Sequence, residues 1–393
     1  MAKRVFATVK PEILEWARTS AGFSVADAAA ALKVDPDLLA AWEAAGDERP
    51  SVPQLRNLAA LYKRPLAVFY LQEVPLRFQV LSDLRRPVPG EDRAYSPTLV
   101  HAIRSAQQRR ELALDLRAEL EEPVEPFPFR LANEEPEQAG EAIRDFLQIG
   151  PDQIRSFGGD ATGRLGFNTW RVALERAGVL VFQVARVPQS EASGFALAYD
   201  TMPAIVVNRK DVPQRRLFSM LHEFAHVALR ESGVSDLRLD GLQVQAPDVE
   251  LRCNAIASAA LMPRDAVLAD LDAALDGREE LTDDVIVRLS RRFGVSRPAL
   301  LIRLIGVRRT TWDFYFKKVA QYNAEYEREQ AARPPAREMK RNMAQESLSD
   351  LGRPFVGLVL GNYFQRRLTL SDVAGYLGIR VKHVEALQRH FVG

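Results

Sequence analysis

The segment PQRRLFSMLHEFAHVAL, Pro213 to Leu229, restricts the fold more than any other part of this chain. Leu217, Met220, Leu221, Phe224 and Ala228 recur at helical spacing, and the stripe they form points largely away from His222 and His226. Residues four apart on a helix stand about 40° apart in azimuth and one turn along, so the two imidazoles aim at a common point. Glu223, about 100° from the first histidine, faces the space beside that point. The stripe belongs on a core, and the histidine face belongs on a cleft.

Two imidazoles so placed in an H-E-x-x-H pattern suit a divalent metal ion, with the glutamate as a general base and not a ligand. Catalytic zinc takes three protein ligands and leaves one position for water. The remaining histidines, His101, His383 and His390, fall in other regions, so a carboxylate on the next long helix is the expected third ligand. Glu250, in VELRCNAIASAALMP, is the candidate and Asp248 its rival, read as a surface acid. Cys253, one turn beyond Glu250, fits either an approach to the metal or a small buried apolar role, and the buried role is expected. For the oxyanion of a hydrolysed carbonyl, Tyr199 and several arginines are available and none stands out.

With 393 residues, 47% of them hydrophobic, the chain is long enough for two or three packed domains. Lys plus Arg (53) nearly cancels Asp plus Glu (52), so a nucleic acid or a membrane would have to be met by a local patch. A single cysteine excludes an internal disulfide. There is no secretory-type leader and no apolar run near the roughly 18 residues of a spanning helix. The expectation is a cytoplasmic protein with no membrane partner.

Pattern and punctuation divide the chain into 1–75, 76–138, 139–275, 276–308 and 309–393. The first region reads as five short helices, beginning at Pro11, Ser24, Pro36, Pro53 and Pro65. The second is an arm: an Arg-rich amphipathic helix from about Pro97 to Glu121, flanked by SDLRRPVPGEDRAYSP and a Pro- and Glu-rich linker. The third mixes helices with β-rich runs at Gly178 to Val187, Gly194 to Asp200 and Ala204 to Asn208. The last of these runs precedes the motif helix, and it fits equally an edge along which an extended peptide adds and a plain core strand with no exposed edge. LTDDVIVRLSRRFGVSRPALLIRL and LTLSDVAGYLGIRVKHVEAL each read as helix, Gly-containing turn and helix and so resemble the helix-turn-helix of the first region, which points to a reused packing unit. The stretch 308–362 reads as charged helix, Pro-rich break and helix, with no chemistry assigned.

FSVADAAAALKVDPDLLAAWEAA, followed by PSVPQLRNLAALYKRP, resembles the XRE repressor-type helix-turn-helix domain, including its Trp-Glu pair at Trp42 and Glu43. A recognition helix of that family normally offers polar and basic groups to DNA. DPDLLAAWEAA offers two Asp, one Glu and no basic residue, and phosphate repels such a surface. A protein-docking role is therefore expected of it, with DNA contact the weaker alternative. The final repeat instead carries Arg380, Lys382, His383 and Arg389, a basic face that solvation alone accounts for.

AIVVNRKDVPQRRLFSMLHEFAHVAL, then VELRCNAIASAALMP and RLSRRFGVSRPALLIRL, is similar in content and order to the ImmA/IrrE metallopeptidase family. Cys253 stands where that family usually has Ala, and Ile256 where Phe is common. The resemblance implies a mainly α chain with a central α+β, zincin-like peptidase domain. His222, His226 and Glu250 would hold zinc, or manganese or another divalent ion, with Glu223 as general base. It further implies a cytoplasmic regulatory endopeptidase that cleaves a protein partner, a transcriptional repressor of a stress response or mobile element. The alternative is an XRE-type regulator or antitoxin that binds a PIN-like nuclease toxin and keeps an idle peptidase domain.

Overall fold

In the computed structural model, which describes residues 5–75, 95–231, 233–235, 248–278, 280–332 and 342–392, proline and short polar caps set most helix starts. The described residues fall into two units, one ending at Ser105 and the other beginning at Ala106. Most of the expected SDLRRPVPGEDRAYSP segment and the Pro-rich break at 333–341 lie outside the described residues.

The first unit contains α1 (Pro11–Thr19), α2 (Val25–Leu32), α3 (Pro36–Glu43) and α4 (Val52–Leu61). Ser24 caps α2 by accepting the Asp27 N–H at 3.0 Å, as the sequence pattern predicts. The fifth expected helix is a 3-10 helix, Leu66–Tyr70, because its backbone bonds run three residues back, from Val68 to Pro65 and from Leu71 to Val68. Leu14, Ala28, Leu39, Trp42, Leu55 and Phe69 form the core of this unit. Glu43, counted among the acids of the third helix, is not available to a ligand. The Arg18 guanidinium grips it with two nitrogens at 2.9 and 2.7 Å, and both side chains are largely buried. The Trp-Glu pair is thus a core residue followed by an internal ion pair, and the exposed acids of α3 reduce to Asp35 and Asp37.

The long helix α5 (Pro97–Glu119) crosses the boundary in sequence. The second unit then runs α6 (Pro136–Leu147), α7 (Pro151–Ser156), α8 (Arg164–Arg176), β1 (Leu180–Val184), β2 (Gly194–Leu197) and β3 (Ala204–Asn208). It continues with α9 (Pro213–Leu229), β4 (Gly233–Ser235), α10 (Asp248–Leu261), α11 (Arg264–Leu275), α12 (Asp283–Arg292) and α13 (Arg297–Gly306). The last elements are α14 (Trp312–Ala332), α15 (Met343–Leu351), α16 (Arg353–Phe364), α17 (Leu370–Tyr376) and α18 (Val384–Val392). The architecture is mainly helical around one small sheet. Among the described residues, no helix is long and apolar enough to cross a membrane.

The sheet has the order β1-β3-β2-β4, with β3 parallel to β1 and antiparallel to β2, and β4 antiparallel to β2. Of the two readings of β3, this leaves the core strand and rules out the peptide-accepting edge, because both of its sides are already paired. All of its residues are buried, which is the environment an uninterrupted apolar run such as AIVVN requires. Helix α9 packs on β2 and β3 on one side and on α8 and α10 on others, so nearly all of it from Leu217 to Ala228 is buried. The α12 and α13 pair, set apart by its repeat-like pattern, contributes Ile286, Leu289, Leu300 and Leu304 to the same apolar core as α9 and α10.

Candidate metal centre

Helix α10 is held in place at its C-terminal end. Gly140 of α6 comes so close that a Cβ there would stand 2.6 Å from the Ala260 nitrogen and 2.7 Å from the Ala259 carbonyl carbon, a contact only glycine permits. The freed carbonyls at that end receive cations. Arg144 donates to Ala259 O at 2.7 Å, and Arg303 donates to Met262 O at 2.8 Å while pairing with both Glu137 oxygens at 2.6 and 2.8 Å. These clamps fix the axis of α10, and its first turn carries Glu250 across to α9.

There the three residues singled out by sequence meet. Glu250 Oε2 lies 3.1 Å from His222 Nε2 and Glu250 Oε1 lies 3.2 Å from His226 Nε2, with the two ring nitrogens 3.1 Å apart. Nitrogen and oxygen ligands about 2.0–2.1 Å from a tetrahedral zinc stand about 3.3 Å from one another, so the spacing of this donor set fits such an ion. Both rings are buried, and Glu250, 24% exposed, is the side of the cluster that meets solvent.

Electrostatics favour the ligating forms. Burial lowers the pKa of His222 and keeps the ring neutral, which is the form that binds metal. For Glu250, burial alone would raise the pKa, but the two imidazoles of His222 and His226 against its oxygens override it and hold the carboxyl well below the usual carboxylate range. Asn254, one turn beyond Glu250, places Oδ1 2.9 Å from His222 Nδ1. The ring donates through Nδ1–H to that oxygen, which leaves the Nε2 lone pair pointing at the other two donors. Among the described residues, His226 Nδ1 has no hydrogen-bond partner.

Glu223, which follows His222 in α9, is fully buried under the first residue of β2. A Cβ on Gly194 would come within 2.9 Å of both Glu223 Oε1 and Val206 O, so the strand can pass over this carboxylate only with glycine there. Asn254 and Gly194 are site features to which sequence reasoning gave no role. The four-residue step from Glu250 to Asn254 was available as a signal, whereas the Gly194 contact depends on tertiary approach alone. The other candidates stay outside. Asp248 is exposed, Cys253 is fully buried in the core with its thiol pKa pushed up by burial, and neither joins the donor cluster. Tyr199 lies under the Arg110 guanidinium, 3.7 Å from its ring centre.

Residues 174–304 match the family model of the IrrE N-terminal-like domain, Peptidase M78. This M78-like stretch holds the sheet, α9, α10 and all four site residues, and it closes inside α13, which shares their core. It suggests a metallopeptidase family for this third of the chain. No curated protein and no solved structure matches the chain.

Proposed function

We propose that the M78-like region is a zinc-dependent endopeptidase that cuts a protein partner, a transcriptional repressor of a stress response or mobile element, recruited through the N-terminal helical unit. The observation that carries this reading is the convergence of His222, His226 and Glu250, with the buried carboxylate of Glu223 on the residue that follows His222 in the same helix. A structural zinc site is closed by four protein ligands and needs no base, whereas three ligands leave a position for chemistry. Manganese is a second ion that imidazole and carboxylate donors accept.

In this reading a zinc ion held by the three side chains supplies a Lewis acid that acidifies a neighbouring water and polarises the scissile carbonyl. Glu223 takes the water proton on a carboxylate oxygen as the hydroxide oxygen bonds to the carbonyl carbon. It returns that proton to the leaving amide nitrogen as the C–N bond breaks. Asn254 fixes the His222 tautomer, and the buried wall of β2 keeps the Glu223 carboxyl from bulk water.

Glu223→Gln is the direct test. The variant should bind about one equivalent of zinc, as the wild type does, and lose cleavage of the co-expressed repressor partner by at least about a hundredfold. Cleavage at the wild-type rate would refute the peptidase reading. The second reading, an antitoxin whose acidic α3 docks a nuclease toxin, rests on the exposed Asp35 and Asp37. In that case toxin capture survives Glu223→Gln and fails in an Asp35→Lys, Asp37→Lys variant.

A further inference from the structure

Three helix pairs in this chain share one register. Ala29, Lys33, Leu39 and Trp42 of α2 and α3 stand at the same spacings as Ala374, Gly378, Val384 and Leu387 of α17 and α18. Ser290, Gly294, Leu300 and Arg303 of α12 and α13 repeat those spacings. In each pair the first-named small residue is buried, the second has a left-handed backbone (φ 57°, 63° and 66° for Lys33, Gly378 and Gly294), and the last two are buried on the second helix. A small residue allows close helix approach, and a left-handed one ends the first helix and starts the turn. This is the layout in which a second helix presents its N-terminal residues to the major groove of duplex DNA.

The pairs differ in what that second helix shows to solvent. At the two positions that open α3 the chain has Asp35 and Asp37, both exposed, and a phosphate backbone is repelled by them. Helix α13 is consumed by packing, with Leu300, Leu301 and Leu304 buried in the core around the metal centre. Before α18 the same two positions are Arg380 and Lys382, both exposed, and Arg389 follows on the outward face. Arg366 and Arg367 are exposed just ahead of α17. The acids nearby do not cancel them. Asp372 is taken up by capping Thr369 through both N–H and O–H, and Glu385 stands 3.9 Å from Arg389 with both side chains open to water.

We propose that α17 and α18 form the duplex-DNA-binding element of this protein, with Arg380 and Lys382 entering the major groove and Arg389 on a phosphate. The site is independent of the metal centre, and it moves DNA contact from the N-terminal unit to the opposite end of the chain. Arginine or lysine at the head of a recognition helix suits the O6 and N7 acceptors of guanine.

The test is fluorescence anisotropy of the full-length protein with a labelled mixed-sequence duplex of about 30 base pairs, repeated over a salt series. The wild type should bind at about 50 mM salt and weaken steeply as salt rises. Lys382→Glu combined with Arg389→Glu should weaken binding at least about tenfold and flatten the salt slope by at least about one, with an unchanged circular dichroism spectrum. Arg380→Ala, which adds no repulsion, should weaken binding in the same direction, and Asp35→Ala with Asp37→Ala should not. Failure of the wild type to bind the duplex, binding to anionic vesicles in its place, or wild-type affinity in the Lys382/Arg389 variant would overturn the proposal. Glu223→Gln should bind the duplex as the wild type does, so loss of the peptidase reading and loss of this one are separately visible.

Discussion

At the scale of single residues, the candidate metal centre depends on a side chain outside the donor set. Asn254 holds the His222 ring by one hydrogen bond, and its replacement by Ala should lower zinc affinity about ten- to a hundredfold, measured by competition with a chromogenic chelator. Affinity unchanged in that variant would mean that packing alone orients the ring. The buried histidine also sets a pH dependence. Its folded pKa lies below the ordinary value of 6.5, so in the interval between the two the unfolded chain binds the proton and the folded chain does not. Its contribution is present above about 6.5 and is lost as pH falls below that value. Thermal unfolding in chelator should show a lower Tm at about pH 5.5 than at about pH 7.5, and His222→Gln should reduce the difference. A difference of equal size in that variant would assign the effect to other groups.

At the scale of elements, the position of Glu250 is a matter of how closely α6 and α10 approach. Gly140→Ala places a methyl group against backbone atoms of Ala259 and Ala260, which cannot step aside as a flexible side chain would. Destabilisation by about 1–3 kcal/mol is expected, together with weaker zinc binding as α10 shifts, both readable from denaturant melts with and without the metal. The histidine pair was legible in the sequence because helical periodicity is local, and Glu250 because it is a carboxylate on the next long helix, in a segment similar to the ligand helix of the ImmA/IrrE family. The neighbours of β3 were not legible. A run such as Ala204 to Asn208 fits an edge or a centre until the partners are known, although its lack of alternation favoured burial on both faces. The same holds for Glu43, whose charge is visible in the sequence and whose Arg18 partner, 25 positions away, is not.

At the scale of the whole molecule, all groups of the metal centre belong to the second unit. A chain begun at Tyr95, which keeps α5 whole, should bind about one zinc per molecule as tightly as the full-length protein, checked by metal analysis after gel filtration. Loss of binding would tie the centre to the first unit. The only cysteine of the chain, Cys253, sits at zero exposure on α10 one turn from Glu250, its thiol pushed toward the protonated form by burial. A sulfhydryl reagent therefore finds no target until that helix lifts from its neighbours. The rate at which the protein is alkylated becomes a stopwatch for the breathing of the helix that carries Glu250, read without adding any label.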